Sequence, residues 1–244
     1  MEETTRIFGL HAVIEAIQSN KTIDKIYIQK GLSGQLFQDL QQHISSREYN
    51  VSYVPVEKLN KLVKGNHQGV VATISPIEFV SLEQMVTTTI QKETTPLFLL
   101  LDQLDDVRNF GAIIRTAECC GVDGIIIQKK GGAPVTADTV KTSAGAIFKI
   151  PICKVDHIKD AIYFMQASEV KVIAATEKTN DLLYDKDLSQ PLALVMGNEG
   201  KGISPSVLKI VDDKAKLPMK GSTGSLNVSV ACGAFLYEVL RQRL

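Results

Sequence analysis

"LFLLLDQLDDVRNFGAIIRTAECCGVDGIIIQ", residues 97–128, decides the fold. "LFLLLD" (97–102) is an almost continuous apolar run, as expected of a strand covered on both faces. "GAIIRTAECCG" (111–121) reads as a helix closed by glycine, and "GIIIQ" (124–128) as a second buried strand. Strand, helix and strand in that order make a parallel unit. The alternation continues downstream. "TVKTSAGAIF" (139–148) and "IKDAIYFMQA" (158–167) have helical patterns, and "IPICKV" (150–155) is extended. "KVIAAT" (171–176), "LALVMG" (192–197) and "KAKLPM" (214–219) read as strands, and a last helix spans about 228–243. The fold class is therefore α/β, with a parallel sheet between helices over residues 97–244.

Working back toward the N-terminus, residues 1–78 form a smaller α/β unit. "GLHAVIEAI" (9–17) places Leu10, Val13, Ile14 and Ile17 at helical spacing, "KIYIQ" (25–29) alternates like a strand, and "LFQDLQQHI" (36–44) is helical again. "VSYVPV" (51–56) and "GVVATIS" (69–75) are strand-like, with the short helix "VEKLNKLV" between them. Residues 79–96, containing the threonine-rich "SLEQMVTTTIQKETTP", hold at most a short helix and end as a linker.

Composition narrows the classes. In 244 residues, 44% are hydrophobic, enough for a substantial core, and 27 basic residues balance 27 acidic ones. Zero net charge argues against a broad basic surface but permits a local basic cleft. Cys119, Cys120, Cys153 and Cys232 form no C-x-x-C pair and have no histidine cluster beside them, so no metal site is expected. Free cysteines suit a reducing compartment. "MEETTRIFGL" is too acidic and too short of apolar residues for a signal peptide, and no apolar run reaches membrane-spanning length. A soluble cytoplasmic protein is expected.

Ligands of open parallel sheets bind beyond the carboxyl ends of the strands. Three polar clusters fall at such ends. In "DQLDDVRNFGAIIRTAE" (102–118), Asn109 could cap the helix. Arg115 is either an exposed face residue or a planar fork able to grip a phosphate. The second cluster is "LVMGNEGKGI" (194–203). A P-loop places four residues between its first glycine and the Gly-Lys pair, and here two intervene. The dinucleotide fingerprint has another glycine order and opens a domain. Glu199 would set an anion beside a phosphate. The segment is therefore a tight turn, or it holds a ligand that is not a polyphosphate. The third cluster, "MKGSTGSLNVSVACGAFLYEVLRQR" (219–243), runs through Ser225 and Leu226 to Asn227, a plausible N-cap. The helix that follows has two apolar stripes. One is Val230, Ala234, Tyr237 and Leu240; the other is Val228, Ala231, Phe235 and Val239. Such a helix is buried on two sides within one chain, or lies at a subunit interface.

Together, "NFGAIIRTAECCGV", "LVMGNEGKGI" and "LPMKGSTGSLNVSVACGAFLYEVLRQR" resemble the three ordered motifs of the SpoU-type (TrmH-like) RNA ribose 2′-O-methyltransferases, whose α/β domain carries a trefoil knot. "GLHAVIEAI" and "HQGVVA" resemble the ribosomal-protein-like RNA-binding domain that precedes it in many members. Among subfamilies the look is that of the bacterial 23S ribosomal RNA guanosine 2′-O-methyltransferases. The resemblance implies S-adenosylmethionine as cofactor. Gly197 would lie in the cofactor turn with Gly200 and Glu199 beside it. Leu217 and Met219 would line the adenine pocket, Leu226 would close it, and Thr176 would join the cofactor-binding residues. Arg115 would hold an RNA phosphate and stabilise the developing alkoxide, with Asn109 orienting Arg115 or the ribose. Glu199, Ser225 and Asn227 would fix loops and substrate. A homodimer through the knotted domain, an RNA partner and no metal are also implied. Two alternatives stand beside this reading: a transfer RNA substrate, and an RNA-binding assembly factor with a vestigial site.

Overall fold

The computed structural model describes residues 6–45, 49–92 and 94–244; the acidic start of the chain, read above for a leader, lies outside the described residues. The chain divides into two compact units, Met1–Glu78 with Val135–Ala137, and Phe79–Pro134 with Asp138–Leu244.

The first unit runs β1 (Arg6–Phe8), α1 (Leu10–Gln18), β2 (Ile23–Gln29), α2 (Gln35–Ser45), β3 (Val51–Val54), α3 (Val56–Leu62) and β4 (Val70–Ile74). Its sheet has the order β1-β4-β2-β3, antiparallel except between β2 and β3. Strand alternation sends Ile26 and Ile28 to one face, where Val13 and Ile17 of α1 and Leu40 of α2 cover them. On the other face Leu59 of α3 packs with Val54 and Val71, and Tyr27 borders them. The two sequence signatures of this unit meet in space. Gly9 has φ 92° and brings no capping side chain, so the Leu10 N–H donates instead to Gln68 Oε1 at 3.1 Å. The Gly69 N–H donates to His67 Nδ1 at 3.0 Å, which leaves the imidazole proton on Nε2, donated to Asn60 Oδ1 at 2.9 Å.

The second unit runs α4 (Leu82–Ile90), β5 (Leu97–Leu101), α5 (Val107–Cys119), β6 (Gly124–Gln128), α6 (Ala137–Thr142), β7 (Ile152–Val155), α7 (Ile158–Ala167), β8 (Lys171–Ala175), β9 (Leu192–Met196), α8 (Pro205–Leu208), β10 (Asp213–Ala215) and α9 (Val228–Arg243). Its six strands are all parallel, in the order β10-β8-β9-β5-β6-β7. Strands β5 and β9 are buried at every position, which is why they read as unbroken apolar runs. The chain grows outward from β5 through β6 to β7, then restarts on the other side of β5. The order therefore reverses at the β5–β9 pair, the place where such sheets open a crevice.

Four expectations need correction. Residues 79–90 belong to the second unit rather than to a linker. Ser81 caps α4 by accepting from the Gln84 N–H at 3.1 Å, Met85 and Val86 are buried in the unit's core, and the Val80 N–H donates to Ile152 O at 3.0 Å. The stretch looked polar because only Met85, Val86 and Thr89 of α4 are buried and its other threonines face outward. The helix expected over 139–148 breaks after Thr142, where Ala144 and Gly145 take φ of 50° and 81°, and resumes as a 3-10 turn at Ala146–Phe148. The strand expected over 214–219 pairs only through Ala215, after which Lys216 makes a single bridge to Leu182. Finally, α5 starts at Val107, and Asp106 rather than Asn109 is its cap, accepting from the Asn109 N–H at 2.7 Å.

Helix α9 has the expected bounds, and it packs on α5 with Val228, Cys232, Phe235 and Val239 buried. Its second stripe is uncovered in the single chain: Val230 and Tyr237 are each 56% exposed. Glu238, on the buried side, accepts from Arg241 Nε at 2.8 Å and Nη2 at 2.7 Å and from Gln242 Nε2 at 2.8 Å. Those bonds hold its carboxyl down at about 2. Arg243 fastens the end of the helix by donating to the carbonyls of Thr95, Pro96, Leu188 and Gln190.

Candidate active site

A cavity of about 350 Å³ opens beyond the carboxyl ends of β8, β9 and β10. Each strand contributes the residues just past its end. Thr176 follows β8, the turn Gly197–Gly202 follows β9, and Leu217 and Met219 follow β10. Ser225, Leu226 and the first turns of α9 complete the wall. All six residues expected to bind a cofactor, Thr176, Gly197, Gly200, Leu217, Met219 and Leu226, therefore line one cavity, with Glu199 and Ser225 among them. Leu217, Leu226, Val228 and Phe235 give it apolar walls and the glycine turn a backbone edge. That combination suits a flat heteroaromatic ring.

The turn is tight. A Cβ on Gly197 would lie 2.3 Å from the Gly202 carbonyl carbon and 2.4 Å from Ile203 N. The turn closes on itself through Asn198 N–H to Gly202 O at 3.1 Å and Gly202 N–H to Asn198 O at 2.8 Å. Gly202, at φ 69°, sits where a Cβ is disfavoured. Two side chains anchor this turn to the loop after β5. Asn198 Oδ1 accepts from the N–H groups of Gly200 and Lys201 at 2.9 and 3.2 Å, and its Nδ2 donates to Gln103 O and Asp105 Oδ1, each at 3.1 Å. Asp102, 1% exposed, accepts from both the backbone N–H and the hydroxyl of Ser204.

Three of the expected catalytic residues meet in a triangle. Asn227 Oδ1 caps α9, accepting from Ser229 N–H at 2.9 Å, so its Nδ2 must face the site. That nitrogen donates to Glu199 Oε1 and to Asn109 Oδ1, each at 3.0 Å. Asn109 Nδ2 in turn donates to Glu199 Oε2 at 3.0 Å. One residue from each motif is held by the other two, across 118 residues of chain between Asn109 and Asn227. Asn109 is hydrogen-bonded to Glu199 and Asn227, and among the described residues it has no bond to Arg115, one of the two groups it was expected to orient. Arg115 is exposed on α5, outside the cavity lining, and makes no hydrogen bond or ion pair among the described residues. It lies one turn beyond Gly111, which has no room for a Cβ because Thr142 Oγ1 would be 2.0 Å away.

Sequence reasoning missed Asp102, Asp106 and Asn198. A signal existed for Asp106: an acid three residues before Asn109, at the start of an apolar helix, is a capping pattern. For Asn198 and Asp102 there was none, because their partners are about a hundred residues away in the chain: |i−j| is 95 to Gln103 and 102 to Ser204.

Known proteins resemble this chain in sequence and fold. The SpoU rRNA methylase family matches residues 96–237, and the RNA 2′-O ribose methyltransferase substrate-binding family matches residues 6–80. A Staphylococcus haemolyticus protein assigned to the TrmH family of tRNA/rRNA methyltransferases is 38% identical over 97% of this chain and 95% of its own. The AdoMet-bound rRNA methyltransferase of Sinorhizobium meliloti superposes with a TM-score of 0.63 at 26% identity, covering 98% of this chain and 87% of that one. The TrmH/SpoU tRNA modifying enzyme of A. aeolicus, at 30% identity and a TM-score of 0.56, covers 66% of this chain and 84% of its own. Among the described residues no helix is long and apolar enough to cross a membrane, and no group of three or more His, Cys, Asp or Glu could hold a metal.

Proposed function

The chain belongs to the SpoU family of S-adenosylmethionine-dependent RNA methyltransferases, and we propose that it methylates a ribose 2′-hydroxyl of RNA, that of a guanosine in 23S ribosomal RNA. One observation carries the choice of ribosomal RNA. The ribosomal RNA enzyme covers both units of this chain, whereas the transfer RNA enzyme covers a share no larger than the second unit. The first unit, matched as substrate-binding, then selects the RNA. The guanosine rests on the likeness of the three motifs to those of the 23S enzymes.

The residues present fit the cofactor. S-adenosylmethionine supplies an electrophilic methyl group on a sulfonium sulfur. Leu217, Met219 and Leu226 would flank its adenine, Thr176 would border it, and the Gly197–Gly200 backbone would approach it closely. No phosphate-binding pattern is needed, which accounts for the glycine spacing. Arg115 would pair with an RNA phosphate and stabilise the oxyanion that forms as the 2′-hydroxyl loses its proton to that phosphate or to water. A guanidinium keeps its own proton in proteins, so Arg115 acts by charge and shape. The triangle of Asn109, Glu199 and Asn227 would hold the RNA side of the site in register with the cofactor turn, and Ser225 would border the ribose. The group should position reactants more than polarise them, because charge on sulfur disappears as the bond forms.

Two further features belong to this reading. The C-terminal segment passes from the sheet edge at β10 along the cavity wall to α9 on α5, the path a trefoil knot would follow. The uncovered Val230–Tyr237 stripe of α9 would be buried by a second copy of the chain. Sedimentation equilibrium should then return twice the 26.7 kDa of one chain, and a concentration-independent monomer would remove the dimer. The four cysteines are free, as a cytoplasmic protein's are expected to be.

The activity is tested by transfer of labelled methyl from S-adenosylmethionine to RNA lacking its native modifications, with ribosomal and transfer RNA separated and digested to nucleosides. Label should appear as 2′-O-methylguanosine in the large ribosomal RNA. Label confined to transfer RNA would move the substrate. No label in either, with the cofactor bound, would leave an RNA-binding protein without turnover.

A further inference from the structure

We propose that the α3 face of the first unit is the RNA-docking surface and that it takes an unpaired strand. The proposal rests on the methyltransferase reading for its partner and on the geometry of this unit for its place.

Charge is segregated across the sheet. Arg6, Thr73 and Lys25 are cross-strand partners in one row over β1, β4 and β2, and Phe8, Val71 and Tyr27 form the parallel row two residues along. Val71 packs with Leu59, which places both rows on the side that α3 covers. Helix α3 and the loop after it add Lys58, Lys61 and Lys64, all exposed. Against these five cations stand Glu57 on the helix and Asp24 of β2, whose carboxylate acts on Tyr27. The opposite side, covered by α1 and α2, carries Glu15 and Asp39, the latter beside His43, with one lysine, Lys21, in the loop after α1.

Aromatic rings lie among those cations. The Tyr27 ring has Lys25 Nζ at 5.2 Å and Lys58 Nζ at 5.8 Å from its centroid. Phe8 is 39% exposed and its ring lies against Gly65, where an added Cβ would come within 2.9 Å of it. Arg6, beside it, anchors through Nη1 to Leu62 O at 3.0 Å. Phe8 presents an exposed ring edge, and the partly buried Tyr27 beside it carries two ammonium groups over its ring. Rings spaced among cations are what a strand with free bases requires, because each base stacks while its phosphate is neutralised. A duplex offers phosphates but buries its bases, so it would leave Phe8 and Tyr27 unused.

The test uses the full chain and a fluorescent single-stranded RNA of about 16 nucleotides, with a hairpin of equal length for comparison. Lys58→Glu with Lys61→Glu should weaken single-strand binding roughly tenfold or more and flatten the salt dependence by about 1.4, two contacts at about 0.7 each. Phe8→Ala should weaken it about fivefold with the salt slope unchanged. Glu15→Gln, on the far side, should change nothing, and cofactor binding should be intact in every variant. Unaltered affinity in the lysine variant, or tighter binding of the hairpin than of the single strand, overturns the proposal. Methyl transfer by the unaltered chain separates the two readings. Active enzyme with indifferent lysine variants removes this face alone, and lysine-dependent RNA binding without turnover keeps the face and removes the activity.

Discussion

Arg115→Ala should lower kcat for RNA methylation by about two to three orders of magnitude, the usual cost of removing a donor aimed at developing charge, with the cofactor still bound. The reason lies in what Arg115 lacks. It is exposed, lies outside the cavity wall, and has no hydrogen bond or ion pair among the described residues. Removing an exposed side chain without partners changes stability by roughly 0.5 kcal/mol or less, so a large loss of turnover cannot come from unfolding. Arg115→Lys sharpens the test. It preserves the charge but replaces the planar fork with a point charge, and should recover only part of the rate. Full activity in the lysine variant would show that positioning by the fork is not its role. A melting temperature that falls together with the rate in the alanine variant would make Arg115 structural.

Gly197→Ala should abolish useful cofactor binding, whereas Gly200→Ala should weaken it far less. At Gly197 the added Cβ meets Gly202 C at 2.3 Å, Ile203 N at 2.4 Å and Gly202 O at 2.6 Å. All three are backbone atoms, so no side chain can swing away, and the Asn198–Gly202 bridge must open. Overpacking of this kind costs about 1–3 kcal/mol or more, which by itself weakens affinity from about fivefold to above a hundredfold, before the loss of the cavity edge. At Gly200 the nearest atom is the tip of Asn198, 3.6 Å away, and φ is not positive. Titration calorimetry with S-adenosylmethionine on both variants decides the matter. Equal losses would mean that the turn is merely fragile.

This pair shows what was legible in the sequence. The two glycines look alike on the page, because what separates them is the return of Gly202 and Ile203 over one and not the other. The parallel sheet was legible because β5 and β9 are buried on both sides and read as unbroken apolar runs. The limits of α9 were legible because Asn227 caps it with its own side chain. Helix α4 was not, because it buries Met85, Val86 and Thr89 while the rest of its threonines face outward. The break at Ala144 was not, because a left-handed alanine leaves no mark on an apolar pattern. The six residues expected to bind the cofactor line one cavity. The contacts of Asn109 were not legible, because its partners are 90 and 118 residues distant.

The triangle of Asn109, Glu199 and Asn227 also determines how the molecule wears out. Asparagine is among the thermolabile residues, losing its amide nitrogen to hydrolysis with time. At Asn227 that loss would spare the helix, since an aspartate caps as well as an asparagine. It would, however, set a second carboxylate within 3.0 Å of Glu199, where a donor had been. The same change at Asn109 would have the same result, since its nitrogen also faces Glu199 at 3.0 Å. An aged preparation would therefore keep the cap of α9 while the triangle opened by repulsion between carboxylates, and activity would be lost sooner than the fold.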